Sequence, residues 1–279
     1  MECIQFWSSN PGRNTLVLGS VHGNEVCWSL AIDSCIKLMR NNVLPIVSGS
    51  VTFLPRANRY AYFAGKRFID TDLNRLFGSN EIFTREHKVA QIIKAYISQA
   101  DFVLDLHSIH AGDTPFVFLE STHPDAWGFV ERAPLPYVLT GWEKLYKDQW
   151  TLDTIAYAES LGIPWVTVEC GLHTSASSVQ VAENMIQYAV QNFWHIEGKV
   201  SSWVNDKKYI RVAQIVRRPL WAKFTKDWEN FDHVRENTVI GTSHDGATTT
   251  VAPYEWKIII PNPNGIPWDE WFYFWRVQE

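Results

Sequence analysis

His22 and Glu25 stand three residues apart, directly after an apolar run at residues 15–21. The run predicts a buried strand, and the spacing of three places both side chains on one face of the helical turn that follows. Histidine and carboxylate are ligands of zinc, and a catalytic zinc shell contains three protein ligands with a fourth position open for water. The alternative is an ordinary polar turn that starts a helix.

His107 and Glu169 each close another apolar run, at 101–107 and 164–170. In open α/β sheets, ligands bind beyond the carboxyl ends of the strands, so these side chains are expected near His22 and Glu25. His107 is then the third ligand of one Zn²⁺ per chain, which would polarise a carbonyl and lower the pKa of a bound water. Glu169 is the candidate general base and later general acid.

Apolar and amphipathic segments alternate through the first two thirds of the chain. Strands are predicted at 15–21, 50–55, 101–107, 115–120 and 164–170, and helices at 26–40, 84–100, 152–162 and 179–196. Strands that are almost continuously apolar and separated by helices predict an α/β fold with a mostly parallel, mixed sheet flanked by helices.

The pattern changes near residue 200, where short β-prone runs are interrupted by Gly, Pro and Asn and no long helix is evident. This change predicts a catalytic α/β domain over 1–199 and a small β-rich C-terminal domain over 200–279.

Composition excludes several functional classes. With 279 residues, 46% of them hydrophobic, the chain can bury a full core, and a net charge of −5 gives no basic footprint for nucleic acid. No apolar run is long enough to span a membrane, and the N-terminus lacks the layout of a signal peptide. Four scattered cysteines without a C-x-x-C motif favour a reduced, cytoplasmic setting. We therefore expect a small-molecule substrate, and homo-oligomer formation is left open.

Four motifs occur in order: H-G-N-E, R-F-I-D-T-D-L-N-R at 67–75, D-L-H, and V-E-x-G. As a set they resemble the succinylglutamate desuccinylase/aspartoacylase family, relatives of the zinc carboxypeptidases. The resemblance covers residues 15–190, and the remainder matches only in being β-rich. It implies a zinc-carboxypeptidase-like fold and hydrolysis of the amide bond of an N-acyl amino acid.

The resemblance also implies roles for individual residues. The three zinc ligands and the base are the residues already named. Arg67 helps to polarise the scissile carbonyl, Asn74 and Arg75 grip the α-carboxylate of the substrate, and Asp72 orients the first zinc histidine. These roles suit the residue types, because a planar guanidinium binds a carboxylate with two parallel hydrogen bonds and can stabilise an oxyanion.

One departure from the family pattern bears on the substrate. Aspartoacylase has a further arginine about ten residues before the catalytic glutamate, which reads a second carboxylate. Here Glu159 occupies that position, and no arginine lies between Arg132 and Arg211. N-acetylaspartate is therefore disfavoured unless Lys144, Lys147 or a residue of the C-terminal part replaces that arginine.

Nearby aromatic residues favour an apolar or ring-bearing group on the substrate, with core packing as the alternative. They are Trp142, Tyr146, Trp150 and Trp165. His110 and His173 are expected at the rim of the site, where they could hydrogen-bond substrate.

Two other functions are compatible with the motifs. A metallocarboxypeptidase or peptide amidase would use the same zinc shell and Asn-Arg clamp on a peptide C-terminus, although an α/β part of this size is short for such enzymes. A metal-dependent binding protein without turnover is disfavoured, because it would have no need for Glu169.

Overall fold

The structure, a computed structural model, describes residues 1–145, 152–192 and 206–276. Its helices are α1 (Cys27–Arg40), α2 (Arg59–Ala64), α3 (Arg85–Ile97), α4 (Pro124–Arg132), α5 (Trp142–Leu145), α6 (Thr154–Ser160) and α7 (Ala176–Asn192), with a 3-10 turn at Leu73–Arg75. Its strands are β1 (Ile4–Trp7), β2 (Asn14–Gly19), β3 (Ser50–Leu54), β4 (Phe102–Ile109), β5 (Phe116–Phe118), β6 (Tyr137–Thr140), β7 (Trp165–Leu172), β8 (Lys208–Arg217), β9 (Ala222–Phe224), β10 (His233–Val234), β11 (Val239–Ser243), β12 (Thr249–Val251), β13 (Trp256–Ile259) and β14 (Glu270–Arg276).

An 11-stranded sheet has the order β1-β3-β2-β4-β7-β5-β6-β8-β14-β13-β10. The four strands from β3 to β7 run parallel, whereas β5 pairs antiparallel with β7. This arrangement confirms the predicted mixed α/β sheet. The carboxyl ends of β2, β4 and β7 therefore lie side by side, which brings together the polar residues that follow them.

Both faces of the central sheet are covered, which explains why its strands read as continuous apolar runs. Val17 on β2 packs into the core cluster that includes residues of α1, α4 and α7. Its neighbours Leu16 and Leu18 pack on the opposite face, in the cluster that includes residues of α3 and α6. Successive side chains along a strand point to opposite faces of the sheet. On β4 and β7 this alternation places Asp105, His107 and Glu169 on the second face.

The C-terminal strands continue the same sheet. β8 pairs in parallel with β6, and β14, β13 and β10 follow as antiparallel neighbours. A separate three-stranded sheet has the order β12-β11-β9. The predicted boundary near residue 199 lies outside the described residues, so the division into 1–199 and 200–279 stays a prediction.

The predicted strands and helices of the first part are present, with ends shifted by a few residues, and the end of the predicted helix 179–196 beyond residue 192 lies outside the described part. The prediction missed β1, α2, α4, β6 and α5, which have four to nine residues each. Short segments carry too few residues for a clear period of 2 or 3.6. No helix in the described ranges is long and apolar enough to cross a membrane.

Candidate active site

Three buried side chains come together beyond the carboxyl ends of β2 and β4. His22 Nδ1 lies 2.8 Å from Glu25 Oε1, and His107 Nδ1 lies 3.1 Å from Glu25 Oε2. One ligand atom from each of the three residues lies within 4.8 Å of the other two. This group can hold a metal ion, and its two imidazoles and one carboxylate match the ligand set of catalytic zinc sites.

Each histidine of this group contacts an aspartate through its Nε2 atom, on the side of the ring away from Glu25. His22 Nε2 lies 3.2 Å from Asp72 Oδ1, and His107 Nε2 lies 3.2 Å from Asp105 Oδ2. A carboxylate in this position fixes the ring orientation and leaves Nδ1 as the nitrogen available to a metal. The contact expected for Asp72 is thus present. Asp105 was not singled out from the sequence, although its place two residues before His107 on a strand puts both side chains on one face.

The surrounding charges favour a cation at the centre of the group. Burial would raise the pKa of Glu25, but the nearby His22 and His107 outweigh burial and hold this pKa well below its ordinary value. Burial would lower the pKa of His107, but Asp105 and Glu25 hold it well above the ordinary value. The carboxylates of Glu25 and Asp105 therefore stabilise positive charge at His107, as a proton or as a metal ion that replaces it.

A tight turn after β2 aims His22 into the site. Ser20 has a φ of 50°, in the left-handed region, and its hydroxyl donates to Glu25 O over 3.1 Å. Gly23 packs against α2 so closely that a Cβ there would lie 2.2 Å from the carbonyl carbon of Ala61. Its N–H donates to Arg67 O over 3.0 Å. Glycine in the H-G-N-E motif is therefore required by packing, and the motif is joined directly to the segment that begins with Arg67.

Glu169 lies on β7 next to His107 in the parallel register of the sheet. Its side chain is buried, and among the described residues Oε2 has no hydrogen-bond partner. Burial raises the pKa of Glu169 well above its ordinary value, against the opposing effect of His107. A buried carboxyl with an unfilled hydrogen-bonding site and a raised pKa is suited to exchange protons with a ligand.

The segment 67–75 lies across the mouth of the same site. Arg67 Nε donates to Asp72 Oδ2 over 3.1 Å, and Arg67 Nη1 lies 3.9 Å from Glu25 Oε1. Asn74 Oδ1 accepts from the N–H of Thr154 at the start of α6 over 3.1 Å. That bond orients the Asn74 amide and leaves its NH₂ group as the donor for a ligand.

Arg75 has a partner that the sequence did not indicate. Its Nη1 donates to Asn74 O over 2.9 Å, and its Nη2 lies 3.5 Å from Glu270 Oε1. Glu270 begins β14, so the C-terminal part of the chain reaches the residue expected to bind substrate. A substrate carboxylate at Arg75 would have to displace or share this contact.

A buried glutamate on α3 holds the segment 67–75 in place. Glu86 Oε1 accepts from the N–H of Ile69 over 2.8 Å, and Glu86 Oε2 accepts from the N–H of Asp70 over 3.3 Å. Asn58, the N-cap residue of α2, donates to the same carboxylate over 3.4 Å. The sequence gave no sign of this role, because a charged residue is ordinary on an amphipathic helix.

Glu86→Ala is therefore expected to lower the free energy of unfolding by about 1–3 kcal/mol, because two backbone N–H groups lose a charged acceptor. Urea unfolding measures this loss. Glu86→Gln retains one side-chain oxygen for Ile69 and should cost clearly less. Equal stability of the parent and Glu86→Ala would show that the hydrogen bonds to Glu86 contribute nothing to folding.

A cavity of about 400 Å³ joins these residues. Trp142 and Trp165, two of the aromatic residues named from the sequence, form part of its wall together with Phe118. Tyr146, Lys147 and Trp150, together with the Lys144 side chain, fall outside the described part of the chain.

Glu159 is not among the described residues that line the cavity, and it accepts from Trp165 Nε1 over 2.7 Å. Arg217, at the end of β8, does line the cavity. Arg217 of the C-terminal part is thus placed where it could bind a second carboxylate of a substrate.

Comparisons with known proteins identify the family of the chain. A sequence model of the succinylglutamate desuccinylase/aspartoacylase catalytic domain matches residues 11–192. A succinylglutamate desuccinylase from Yersinia pseudotuberculosis serotype O:3 (strain YPIII) is 22% identical over 290 residues, which cover 90% of this chain and 80% of the relative.

Two solved structures have a similar fold. One is a succinylglutamate desuccinylase/aspartoacylase from Rhodobacter sphaeroides, with a TM-score of 0.77, 18% identity, and coverage of 97% of this chain and 87% of that one. The other is the product-bound ectoine utilization protein EutE (DoeB) from Ruegeria pomeroyi, with a TM-score of 0.77, 17% identity, and coverage of 98% and 88%. The match of the catalytic-domain model over most of the chain means that this protein belongs to the succinylglutamate desuccinylase/aspartoacylase family, hydrolases of N-acyl amino acids.

Proposed function

We propose that this protein is a zinc-dependent hydrolase of the amide bond in a small N-acyl amino acid, with Glu169 as the general base and acid. The observation that supports the proposal is the convergence of His22, Glu25 and His107 on one point, with the buried Glu169 adjacent to His107 in the sheet. A zinc ion, when bound there, polarises a carbonyl and makes water more acidic.

Protein side chains carry out proton transfer, stabilise the developing negative charge and orient the metal ligands. Glu169 takes the proton of the attacking water through the unpaired Oε2 and then passes it to the nitrogen of the leaving amine, so that both steps use one carboxyl. Arg67 stabilises negative charge that develops on the carbonyl oxygen, and its pairing with Asp72 holds the guanidinium in position. Asp72 and Asp105 keep the two histidines in the orientation that binds metal.

Asn74 and Arg75 bind the α-carboxylate of the substrate in this proposal. The Asn74 amide is oriented by Thr154, and the Arg75 guanidinium lies in the same cavity as the metal group. A cavity of about 400 Å³ that C-terminal residues help to line suits a small acylated amino acid.

The experiment that tests the function is a hydrolysis panel with zinc-loaded protein. N-acetyl and N-succinyl derivatives of acidic, basic, apolar and aromatic amino acids would be compared with dipeptides and longer peptides. Release of amine from at least one acyl amino acid, with no cleavage of peptides, is expected. Preferred cleavage of peptides at the C-terminus would instead support a carboxypeptidase, and no hydrolysis in any arm would contradict the proposal.

Arg75→Lys is expected to raise KM for acyl amino acids by about 10-fold or more, because a point charge does not replace two parallel hydrogen bonds to a carboxylate. Steady-state kinetics on the preferred substrate measure this change. The α-amide of that substrate serves as the control, since it lacks the carboxylate and should be hydrolysed poorly by both proteins. An equal loss on the two substrates would indicate that Arg75 serves mainly as the structural partner of Glu270.

A further inference from the structure

Carboxyl groups outnumber cationic side chains in the wall of the cavity. Among the described residues that line it are eight aspartates and glutamates, three arginines and no lysine. Four of the carboxyl groups belong to the metal group and the chemistry proposed above, namely Glu25, Asp72, Asp105 and Glu169. The other four have no part in that chemistry, and they are Glu120, Asp153, Asp269 and Glu270.

The surplus of negative charge remains when a metal ion is included. A bound zinc ion brings two positive charges, and the carboxylates still exceed the positive charges when Glu169 is counted as protonated. A substrate that binds through its α-carboxylate adds one negative charge, and an acidic side chain would add another. Because like charges repel and unlike charges attract at these distances, the cavity favours a substrate that also carries a positive charge.

Hydrogen bonds place Asp153 between the two ends of the site through its neighbour Thr154. The N–H of Thr154 donates to Asn74 Oδ1 over 3.1 Å, and the hydroxyl of Thr154 donates to Asp105 Oδ2. Asn74 is assigned to the α-carboxylate of the substrate, and Asp105 contacts the metal-group residue His107. The start of α6 is therefore held between the carboxylate end and the metal end, and Asp153 lines the cavity there.

The charges that act on Asp153 agree with this position. Burial raises the pKa of Asp153 above its ordinary value, and the charges of Arg75 and His107 oppose that rise. In the proposed function Arg75 binds the α-carboxylate, and His107 belongs to the group that faces the acyl carbonyl. The α-carbon of the substrate joins these two parts, so the amino-acid side chain begins near Asp153.

Two buried polar atoms beside this position have no hydrogen-bond partner among the described residues. They are Asp105 Oδ1 and Thr167 Oγ1, from residues that are neighbours in the parallel register of β4 and β7 and that both line the cavity. Asp105 is 0% exposed and Thr167 is 5% exposed. Unpaired polar atoms at this depth cost free energy, so they mark a place where the donors of a ligand bind. We call Asp105, Asp153 and Thr167 the acidic subsite.

From this geometry we propose that the substrate is the N-acyl derivative of an amino acid with a cationic side chain, and that Asp153 is the specificity residue that binds its ammonium group, with Asp105 and Thr167 as further acceptors. An ammonium group and a carboxylate form a charge-assisted hydrogen bond, which is stronger in a cavity than in open water. This inference rests on the proposed function and adds the class of substrate.

Arg217 is the cavity cation that an acidic substrate would use instead. Its Nη1 donates to Trp268 O over 3.3 Å. Burial and Glu270 raise the pKa of Asp269, and the charge of Arg217 opposes this rise. A second carboxylate of a substrate would thus compete with Asp269 for Arg217, whereas an ammonium group at the acidic subsite has no cation to displace in the contacts described above.

Nα-acetylornithine, N-acetylnorleucine and N-acetylglutamate test the class of substrate. The side chains of ornithine and norleucine have the same length, and an ammonium group in one replaces a methyl group in the other. With zinc-loaded protein we expect kcat/KM to be about 10-fold higher or more for the ornithine derivative, the usual effect of a hydrogen bond to a charged group. The glutamate derivative should be the poorest of the three. Equal use of the ornithine and norleucine derivatives, or preference for glutamate, would overturn the inference.

Asp153→Asn removes the charge and preserves the helix start. Asp153 Oδ1 accepts from the N–H of Ala156 over 2.8 Å at the N-cap of α6, and asparagine caps helices as well as aspartate does. The preference for ornithine over norleucine should fall by about 10-fold, through KM for the ornithine derivative. This ratio, measured on one preparation, does not depend on the fraction of folded protein. Glu236→Gln, at an exposed position, is the control. An equal loss on both substrates would show that Asp153 only caps α6 and would contradict the inference.

Calorimetry with free amino acids gives a readout that depends neither on turnover nor on the acyl group. Ornithine should bind to the zinc-loaded parent about 10-fold more tightly than norleucine and should lose this advantage in Asp153→Asn. Equal binding of the two amino acids to the parent would contradict the acidic subsite. A parent protein that hydrolyses no acyl amino acid would contradict the proposed function, whereas an active parent without preference for ornithine would contradict this inference alone.

Discussion

Glu169→Gln is expected to lower kcat by about 10²–10⁴-fold, the usual contribution of general acid–base catalysis. The amide fills the same volume on β7 and can still hydrogen-bond water, but it cannot accept a proton or pass one to the leaving amine. KM should remain close to the parental value, because substrate binding is assigned to Arg67, Asn74 and Arg75. Zinc content should also be unchanged, because Glu169 is outside the set of three metal ligands.

Steady-state kinetics and elemental analysis on the same preparation measure both quantities. Glu236→Gln makes the same chemical change at an exposed position and should behave as the parent. A Glu169→Gln protein with nearly parental kcat would show that another group carries the proton. Loss of zinc from that protein would show that Glu169 is itself a ligand.

His107→Ala is expected to abolish most zinc binding and, with it, hydrolysis. The parent should contain close to one zinc per chain, because His22, Glu25 and His107 form one group. Removing one of three ligands from a buried site leaves too few donors to compensate for dehydration of the ion. The change also leaves Asp105 without its histidine partner, so stability should be measured beside metal content.

His22→Ala should give the same loss, and His244→Ala, at an exposed position, should retain the parental zinc ratio. Equilibrium dialysis against zinc at fixed free concentration distinguishes weakened binding from loss during purification. Full retention of zinc in both His22→Ala and His107→Ala would remove the basis of the metal assignment.

The order of elements and the residues of the metal group could be predicted because they depend on local pattern. Continuous apolar runs identified β2, β4 and β7, since a strand buried on both faces leaves no polar alternation. The parallel arrangement then places the residues at the ends of these strands together, which is why His22, Glu25, His107 and Glu169 could be grouped from sequence. The family motifs supplied the expected roles of Arg67, Asp72, Asn74 and Arg75.

The partners of these residues depended on contacts between distant parts of the chain. Asp105 is joined to Thr154 by a hydrogen bond, and Glu86 holds Ile69 across 17 positions. Arg75 lies against Glu270 from β14, in the part of the chain predicted to be a small β-rich C-terminal domain. No periodicity links such pairs, because each depends on how two elements pack and not on the spacing within either.

The sequence by itself determined the fold class, the family and the residues able to hold a metal, because strand burial and motif spacing are local properties. Only the tertiary structure decided that Asp105 contacts His107, which carboxylate contacts Arg75, and that His110 is joined to Ser108 through His173. The physical reason is that hydrogen bonds form over about 3 Å in space. Separation along the chain says little about such distances once β4, β7 and β14 have been brought into one sheet.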